Sequence, residues 1–189
     1  MKKYLSYLFL SLGLLCLSLF ALLMIQRNNP SRLAFDYSAA VMTPTTNSSL
    51  PMALSIPSLS LSLAIYPAKI EGTVWQTTKH GLSYLSSSPT PGTKGNSVIY
   101  GHNWSGILGN LSKVKVGDAI NVIFQDGRER KFNVQFISVV TPDQTQILAP
   151  SKDTRLTLYT CTGFLDSKRL VVTALLDDSN TTAGTIPTE

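Results

Sequence analysis

The fold is decided by residues 154–176, which read TRLTLYTCTGFLDSKRLVVTALL. Two runs rich in β-branched, aromatic and leucine side chains, residues 155–160 and 170–176, favour β-strands. A short polar connection, residues 162–168, separates them. If the two strands are antiparallel neighbours, the connection returns Arg169 to the side of Cys161.

Other strand candidates surround this pair along the chain. Apolar residues that alternate or cluster predict strands at residues 53–56, 59–66, 97–100, 119–124 and 131–140. The turn Gln125-Asp126-Gly127 marks a hairpin between the last two. Residues 67–96 are rich in glycine and proline and are expected to be mostly loop, with one helical turn around Leu82–Leu85. The pattern predicts an all-β domain of about 125 residues, a small barrel or sandwich.

The amino terminus carries a different signal. Residues 4–25 contain no charged side chain and are flanked by Lys2, Lys3 and Arg27. A helix of this length spans roughly 33 Å, enough for a hydrocarbon core of about 30 Å. The alternative is a cleaved signal peptide, whose apolar region is usually shorter, about 7–15 residues. We therefore expect an uncleaved membrane anchor with its amino end in the cytoplasm and the β-domain outside.

The chain thus divides into five predicted parts. They are a cytoplasmic end (1–3), a transmembrane anchor (4–25), a flexible tether rich in Asn, Ser, Thr and Pro (26–50), the β-domain (51–177) and a disordered polar tail (178–189). With 189 residues, 14% of them charged, and a net charge of +5, the chain has room for one ordinary domain. The basic residues are not clustered as they are in proteins that bind nucleic acid, so we expect no nucleic-acid partner.

Three residues at predicted strand ends are suited to chemistry. Cys16 lies within the apolar run and cannot pair with Cys161, which leaves an unpaired thiol in an exported domain. That thiol is either buried and structural or is used as a nucleophile. His102 also ends a predicted strand and could act as general acid and base, while Arg169 could stabilise an oxyanion. Trp104 could line a groove beside His102.

The residues around these three resemble one family, the sortases, which are membrane-anchored cysteine transpeptidases. Residues 157–161, TLYTC, match the T-L-x-T-C signature in every fixed position. Residues 98–102, VIYGH, match the apolar run into the family histidine, and Arg169 stands where the family arginine opens the last strand. Residues 117–120, GDAI, resemble the G-D-x-I that precedes a family strand. The resemblance covers residues 51–176, and the amino-terminal anchor agrees with the family layout.

The resemblance implies a closed eight-stranded β-barrel and a two-step acyl transfer without a cofactor. Cys161 would attack the threonine carbonyl of an LPxTG-like sorting signal at the carboxyl end of a surface protein. His102 would act as acid and base, Arg169 would stabilise the oxyanion, and Thr160 would help to line the acyl pocket. The acceptor would be the amine of a cell-wall precursor or of another protein.

Two features of the sequence indicate the subclass of the family and the absence of a metal site. The chain has no Asp-Pro pair and ends in a polar tail, which favours a type without a lid over the active site. The sequence has no cluster of acidic residues suited to a calcium site, so we expect no bound metal.

An unpaired cysteine in an exported domain is also compatible with three other interpretations. A papain-like protease would carry C-G-x-C-W, which is absent, and an L,D-transpeptidase would have His and Gly directly before the cysteine, where Tyr159 and Thr160 stand. A membrane-tethered, non-enzymatic β-domain that binds a surface partner, with Cys161 buried, remains the alternative.

Overall fold

The computed structural model describes residues 2–27, 30–36, 49–72 and 74–177. The predicted cytoplasmic end is described only from residue 2 onwards. Residues 37–48 of the predicted tether and the predicted tail 178–189 lie outside the described residues.

A closed eight-stranded β-barrel forms the body of the molecule, as the family resemblance implies. Around the barrel the strand order is β1-β2-β5-β6-β9-β10-β8-β7, and β7 pairs back onto β1. These strands are β1 (Pro51–Ile56), β2 (Leu61–Ala68), β5 (Leu82–Leu85), β6 (Gly95–Tyr100), β7 (Ala119–Phe124), β8 (Glu129–Val140), β9 (Thr154–Thr162) and β10 (Lys168–Leu176). A separate two-stranded sheet pairs β3 (Ile70–Glu71) with β4 (Val74–Trp75).

The barrel is filled by side chains that alternate along its strands. In β7, Ile120, Val122 and Phe124 are buried while the residues between them are partly exposed. Period-two alternation is what a strand needs to send one face into a core. The buried interior also takes the apolar faces of β1, β8, β9 and β10.

Two parallel pairs interrupt an otherwise antiparallel barrel. β2 pairs with β5 and β6 pairs with β9 in parallel, while the other six pairings around the barrel are antiparallel. Parallel neighbours need a crossover connection, which explains the long segments between β2 and β5 and between β6 and β9.

The helical turn expected around Leu82–Leu85 is wrong, because these residues form strand β5. All four are buried, and β5 lies between β2 and β6. A four-residue stretch buried on both faces shows no alternation, so its period does not reveal a strand.

The amino-terminal helix α1 extends over Lys2–Arg27. Its segment Ser6–Gln26 is long and apolar enough to cross a membrane, with a mean hydropathy of 2.7. This agrees with the predicted anchor in position and length.

Candidate active site

Cys161 and Arg169 are direct neighbours across two antiparallel strands. In the β9–β10 pairing, Arg169 stands opposite Cys161 and Leu170 opposite Thr160. Gly163 begins the connection with φ +80°, a left-handed backbone conformation that glycine adopts without strain. The expected return of Arg169 to the side of Cys161 is therefore confirmed.

His102 reaches the same end of the barrel from the other side of β9. The parallel pairing of β6 and β9 puts Tyr100 opposite Tyr159, so His102 and Cys161 each follow two residues later. The Gly101 amide donates to the Tyr159 carbonyl at 3.2 Å, which continues this register towards His102. The fold therefore brings the thiol, the imidazole and the guanidinium to one end of three neighbouring strands.

The site lies on the outer face of the barrel. Leu156 and Leu158 belong to the interior core, whereas Tyr159 and Cys161 belong to a second apolar cluster. The Tyr159 ring stacks on Tyr100, with centroids 5.3 Å apart and planes 15° from parallel. Cys161 is 5% exposed, so its thiol is enclosed by this cluster.

Thr160 and Trp104 both lie beside the catalytic candidates, and their predicted substrate-binding roles stay predictions. The Thr160 hydroxyl is buried and donates to the Gly101 carbonyl at 2.7 Å, which ties the cysteine strand to the histidine loop. The Trp104 ring lies almost parallel to the His102 imidazole, with centroids 4.3 Å apart and planes 8° from parallel. Such stacking restricts the orientation of the imidazole.

Arg169 is almost fully buried, with 3% of its surface exposed. One terminal nitrogen donates to the carbonyls of Asp166 at 2.9 Å and Lys168 at 3.0 Å. The other donates to the Ala34 carbonyl at 2.8 Å. Its Nε–H has no partner among the described residues. Because buried N–H groups are rarely left unpaired, this one is suited to an acceptor that arrives with a substrate.

Residues 30–36 lie over this site, which corrects two expectations. They were expected to belong to a flexible tether, yet Leu33 and Phe35 are 1% and 3% exposed within the outer cluster. The site was also expected to have no cover, yet the Cys161 thiol donates to the Arg32 carbonyl at 2.9 Å. The covering contacts come from the backbone carbonyls of Arg32 and Ala34 and from the side chains of Leu33 and Phe35.

Asp166 is a site residue that the sequence analysis missed. Its carboxylate accepts from Arg32 Nη1 at 2.8 Å and from Asn103 Nδ2 at 2.8 Å. It therefore links the loop before β10, the covering segment and the residue after His102. Its position in a short loop gave no signal, because these partners come from distant parts of the chain.

Both titrating groups of the site favour their neutral forms. Burial raises the pKa of the Cys161 thiol from 9.0 to about 11, although the Arg169 charge opposes the rise. Burial lowers the pKa of His102 below 6.5, and Lys79 lowers it further while Asp166 opposes the change. At neutral pH the covered site therefore holds a thiol and a neutral imidazole.

We expect alkylation of Cys161 by iodoacetamide to accelerate steeply with pH, because only the thiolate reacts. With a pKa of about 11, the rate should rise about tenfold per pH unit from pH 7 to 10. The rate is measured by mass spectrometry of the Cys161 peptide in full-length Cys16→Ser protein in detergent. Glutathione in the same buffers serves as an unburied control. A plateau below pH 8 would contradict the raised pKa.

Comparisons with known proteins identify the family to which the fold belongs. A family model described as the sortase domain matches residues 54–177. Sortase A of Bacillus anthracis is 32% identical over 123 residues, which cover 63% of this chain and 56% of that relative. The chain thus matches little more than half the length of that curated relative.

Solved structures give the same result. Sortase A from Corynebacterium diphtheriae is 29% identical with a TM-score of 0.61, and the match covers 88% of this chain and 87% of that one. Sortase C-1 from Actinomyces oris is also 29% identical with a TM-score of 0.58, over 75% of this chain and 89% of that one. Since the family model spans nearly the whole barrel and most of the chain, the chain belongs to the sortase family.

Proposed function

We propose that this chain is a membrane-anchored cysteine transpeptidase that cleaves an LPxTG-like sorting signal and transfers the acyl group to an amine. One observation carries the proposal. A thiol and a buried guanidinium stand opposite each other on neighbouring strands, and a histidine follows the strand on the other side.

The reactive form is the minority in which the Cys161 thiol has given its proton to His102, so that the pair carries the same number of protons as the predominant neutral form. In the first step the Cys161 thiolate attacks the carbonyl carbon of the threonine in the sorting signal. A C–S bond forms, and the C–N bond to the following glycine breaks. His102, in its protonated form, gives its proton to the departing amine. The product is a thioester between Cys161 and the threonine, with neutral His102 beside it.

In the second step an amine attacks the thioester carbon. His102 takes the proton that the amine loses, a new C–N bond forms, and Cys161 leaves as a thiolate. Water can take the place of the amine and would give hydrolysis. Transfer is thus the main reaction, and peptidase activity is its side reaction.

Arg169 stabilises the negative charge that develops on the carbonyl oxygen in both steps. Its charge is permanent and its donors form a rigid fork. Since its terminal nitrogens already bond to protein carbonyls in the covered state, the unpaired Nε–H is the donor left for an oxyanion.

The partners and location follow from the same proposal. Residues 4–25 would anchor the chain, with the amino end in the cytoplasm and the barrel outside. Substrates would be surface proteins that carry a carboxyl-terminal sorting signal. Acceptors would be cell-wall precursors or other proteins with a free amine.

The non-enzymatic alternative explains the burial of Cys161 but not the charge beside it. A structural cysteine needs no arginine opposite, and burying a guanidinium costs free energy unless its hydrogen bonds are satisfied. Arg169 keeps one buried donor unpaired, which suits a reacting site better than a structural core.

The test uses full-length protein in detergent and a library of fluorogenic LPxTG-like peptides, with and without hydroxylamine as a small amine. We expect cleavage of at least one peptide. With hydroxylamine, the product carrying the threonine should change from the carboxylic acid to the hydroxamate, because the amine captures the thioester. Mass spectrometry separates the two products. Failure to cleave any peptide in the library would contradict the proposal.

A further inference from the structure

We propose that Phe164 and Leu165, at the tip of the loop between β9 and β10, insert into the surface of the lipid bilayer that holds α1. These two residues are called the loop tip below. Docking of the loop tip holds the active site against the membrane. The inference rests on the membrane anchoring of the proposed function and is independent of the acyl transfer.

The loop tip is apolar and lies in solvent. Phe164 is 85% exposed, the largest value for a large apolar side chain among the described residues, and Leu165 is 47% exposed. Two adjacent large apolar side chains in water carry a hydration cost that contact with an apolar phase removes. The loop tip is therefore suited to a partner outside the barrel.

The backbone of the loop is held in a conformation that presents these side chains outward. Leu165 and Asp166 have φ values of 51° and 60°, in the left-handed region that residues other than glycine rarely adopt. Such a conformation persists only where surrounding contacts impose it. Here Arg169 donates to the Asp166 carbonyl, and Arg32 pairs with the Asp166 carboxylate.

The connectivity of the chain keeps this loop close to the membrane. The apolar segment of α1 ends at Gln26, and the carbonyl of Arg32 accepts from the Cys161 thiol. Six residues span at most about 22 Å even when fully extended. Cys161 therefore lies near the point where the chain leaves the membrane, and Phe164 follows it by three residues.

The loop tip also reaches beyond that point, alongside the helix. Phe20, Leu23 and Met24 of α1 line one groove together with Leu165. At 1.5 Å per residue, Met24 and Phe20 lie roughly 3 and 9 Å inside the apolar segment, counted from Gln26. Apolar side chains at a membrane surface are buried about 5–10 Å into the boundary between headgroups and acyl chains. The depth of the loop tip thus favours lipid as its partner.

The charges around the loop tip fit a membrane surface. Asp166, which follows the tip, is ion-paired with Arg32, so its charge is balanced. Lys168 is exposed at the end of the loop, and exposed Lys79 lies close enough to His102 to lower the pKa of the imidazole. Exposed lysines beside an inserted apolar tip attract anionic headgroups.

Docking would determine which substrates meet the site. With the loop tip in lipid, the thiol of Cys161 faces the membrane surface instead of moving freely at the end of a tether. A peptide carried on the same membrane then reaches the site at a high effective concentration. A soluble peptide gains nothing from the docking.

The first test measures the depth of the loop tip directly. Full-length Cys16→Ser/Cys161→Ala/Phe164→Cys protein carries a single thiol, which is labelled with a nitrobenzoxadiazole fluorophore. The protein is reconstituted into vesicles of phosphatidylcholine and phosphatidylglycerol. We expect lipids brominated on their acyl chains to lower the fluorescence about twofold or more, because the label lies about 5–10 Å into the boundary.

Met52→Cys is the matched control, since Met52 is also an exposed apolar residue, at 49%. The pairings of β1 and β7 place it at the Glu129 end of β8, whereas Val140 at the other end pairs with Arg169. A strand of twelve residues separates these ends by about 36 Å. A label at residue 52 should not be quenched. Equal quenching at both positions, or none at residue 164, would overturn the proposal.

A label at Ala21→Cys, within the apolar segment, reports the anchor itself. Quenching at residue 21 without quenching at residue 164 would keep the anchor and refute the docking. No quenching at either position would refute both.

Turnover tests the consequence for substrates. Phe164→Ser/Leu165→Ser should lower kcat/KM for an LPxTG-like peptide carried on a lipid in vesicles about tenfold, because the high effective concentration is lost. For the soluble peptide in detergent, the value should stay within about twofold of the parent, since both side chains are exposed. An equal loss with both peptides would assign the loop tip to substrate contact and overturn the proposal.

The two arms keep this proposal separate from the proposed function. Quenching at residue 164 without turnover of any peptide would leave the docking and refute the transpeptidase. Turnover without quenching at residue 164 would leave the transpeptidase and refute the docking.

Discussion

Cys161→Ala is expected to lower kcat/KM for cleavage of an LPxTG-like peptide by about 10⁴-fold or more, because no other group can form the thioester. Among the described residues, Cys161 is the one thiol in the outer cluster, and Arg169 stands opposite it on β10. The alanine side chain leaves β9 and its pairings unchanged. The rate is measured with full-length protein in detergent, and the melting temperature is compared with that of the parent chain.

The matched control is Cys16→Ser, which removes the other cysteine of the chain. Cys16 lies in the apolar helix, so peptide cleavage should stay within about twofold of the parent rate. His102→Ala in the same assay should lower the rate by about 10²–10⁴-fold, the usual contribution of a general acid and base. Cleavage retained in Cys161→Ala would rule out the thioester mechanism.

Arg169→Lys is expected to lower kcat by about 10²–10³-fold, the usual cost of losing one oxyanion donor. The guanidinium spreads its donors over three carbonyls and one unpaired Nε–H. A single ammonium cannot reach these positions at once, although it keeps the positive charge. The loss should fall on kcat rather than KM, because the oxyanion exists only after the attack.

Arg155→Lys makes the same chemical change at the other end of β9. Arg155 pairs with Leu175 and donates twice to the Asp153 carboxylate, away from the site. Its replacement should change kcat by less than about twofold, since a pair of this exposure adds little to stability. If the two lysine variants had equal activity, the oxyanion role of Arg169 would be wrong.

Most of the barrel strands could be predicted because their signal is local. β7 begins and ends where the alternation at residues 119–124 predicts, and β9 and β10 contain the predicted runs 155–160 and 170–176. Period two shows in any short window when one face is buried and the other is not. Strand β5 was missed because Leu82–Leu85 is buried on both faces and shows no period.

The candidate site was predictable to the extent that it is built from neighbouring strands. Cys161 and Arg169 are joined by a short loop, so an antiparallel pairing nearly determines that they meet. The proximity of His102 to these two residues followed only from the family resemblance. It depends on the parallel pairing of β6 with β9, two strands that lie almost sixty residues apart in the chain. Asp166 was not found, because its partners Arg32 and Asn103 are distant in sequence.

The apolar amino-terminal helix, most of the strands and the residues capable of chemistry can be recognised from the amino-acid sequence alone. These depend on local composition and on the period of apolar side chains. The covering of the thiol by residues 30–36, in contrast, depends on contacts between distant parts of the folded chain. The surface that buries Leu33 and Phe35 is assembled from strands that are distant in sequence, among them β4, β6, β9 and β10, and it exists only after the barrel has closed. From sequence alone, residues 30–36 resemble a linker, because Leu33 and Phe35 are their only large apolar residues.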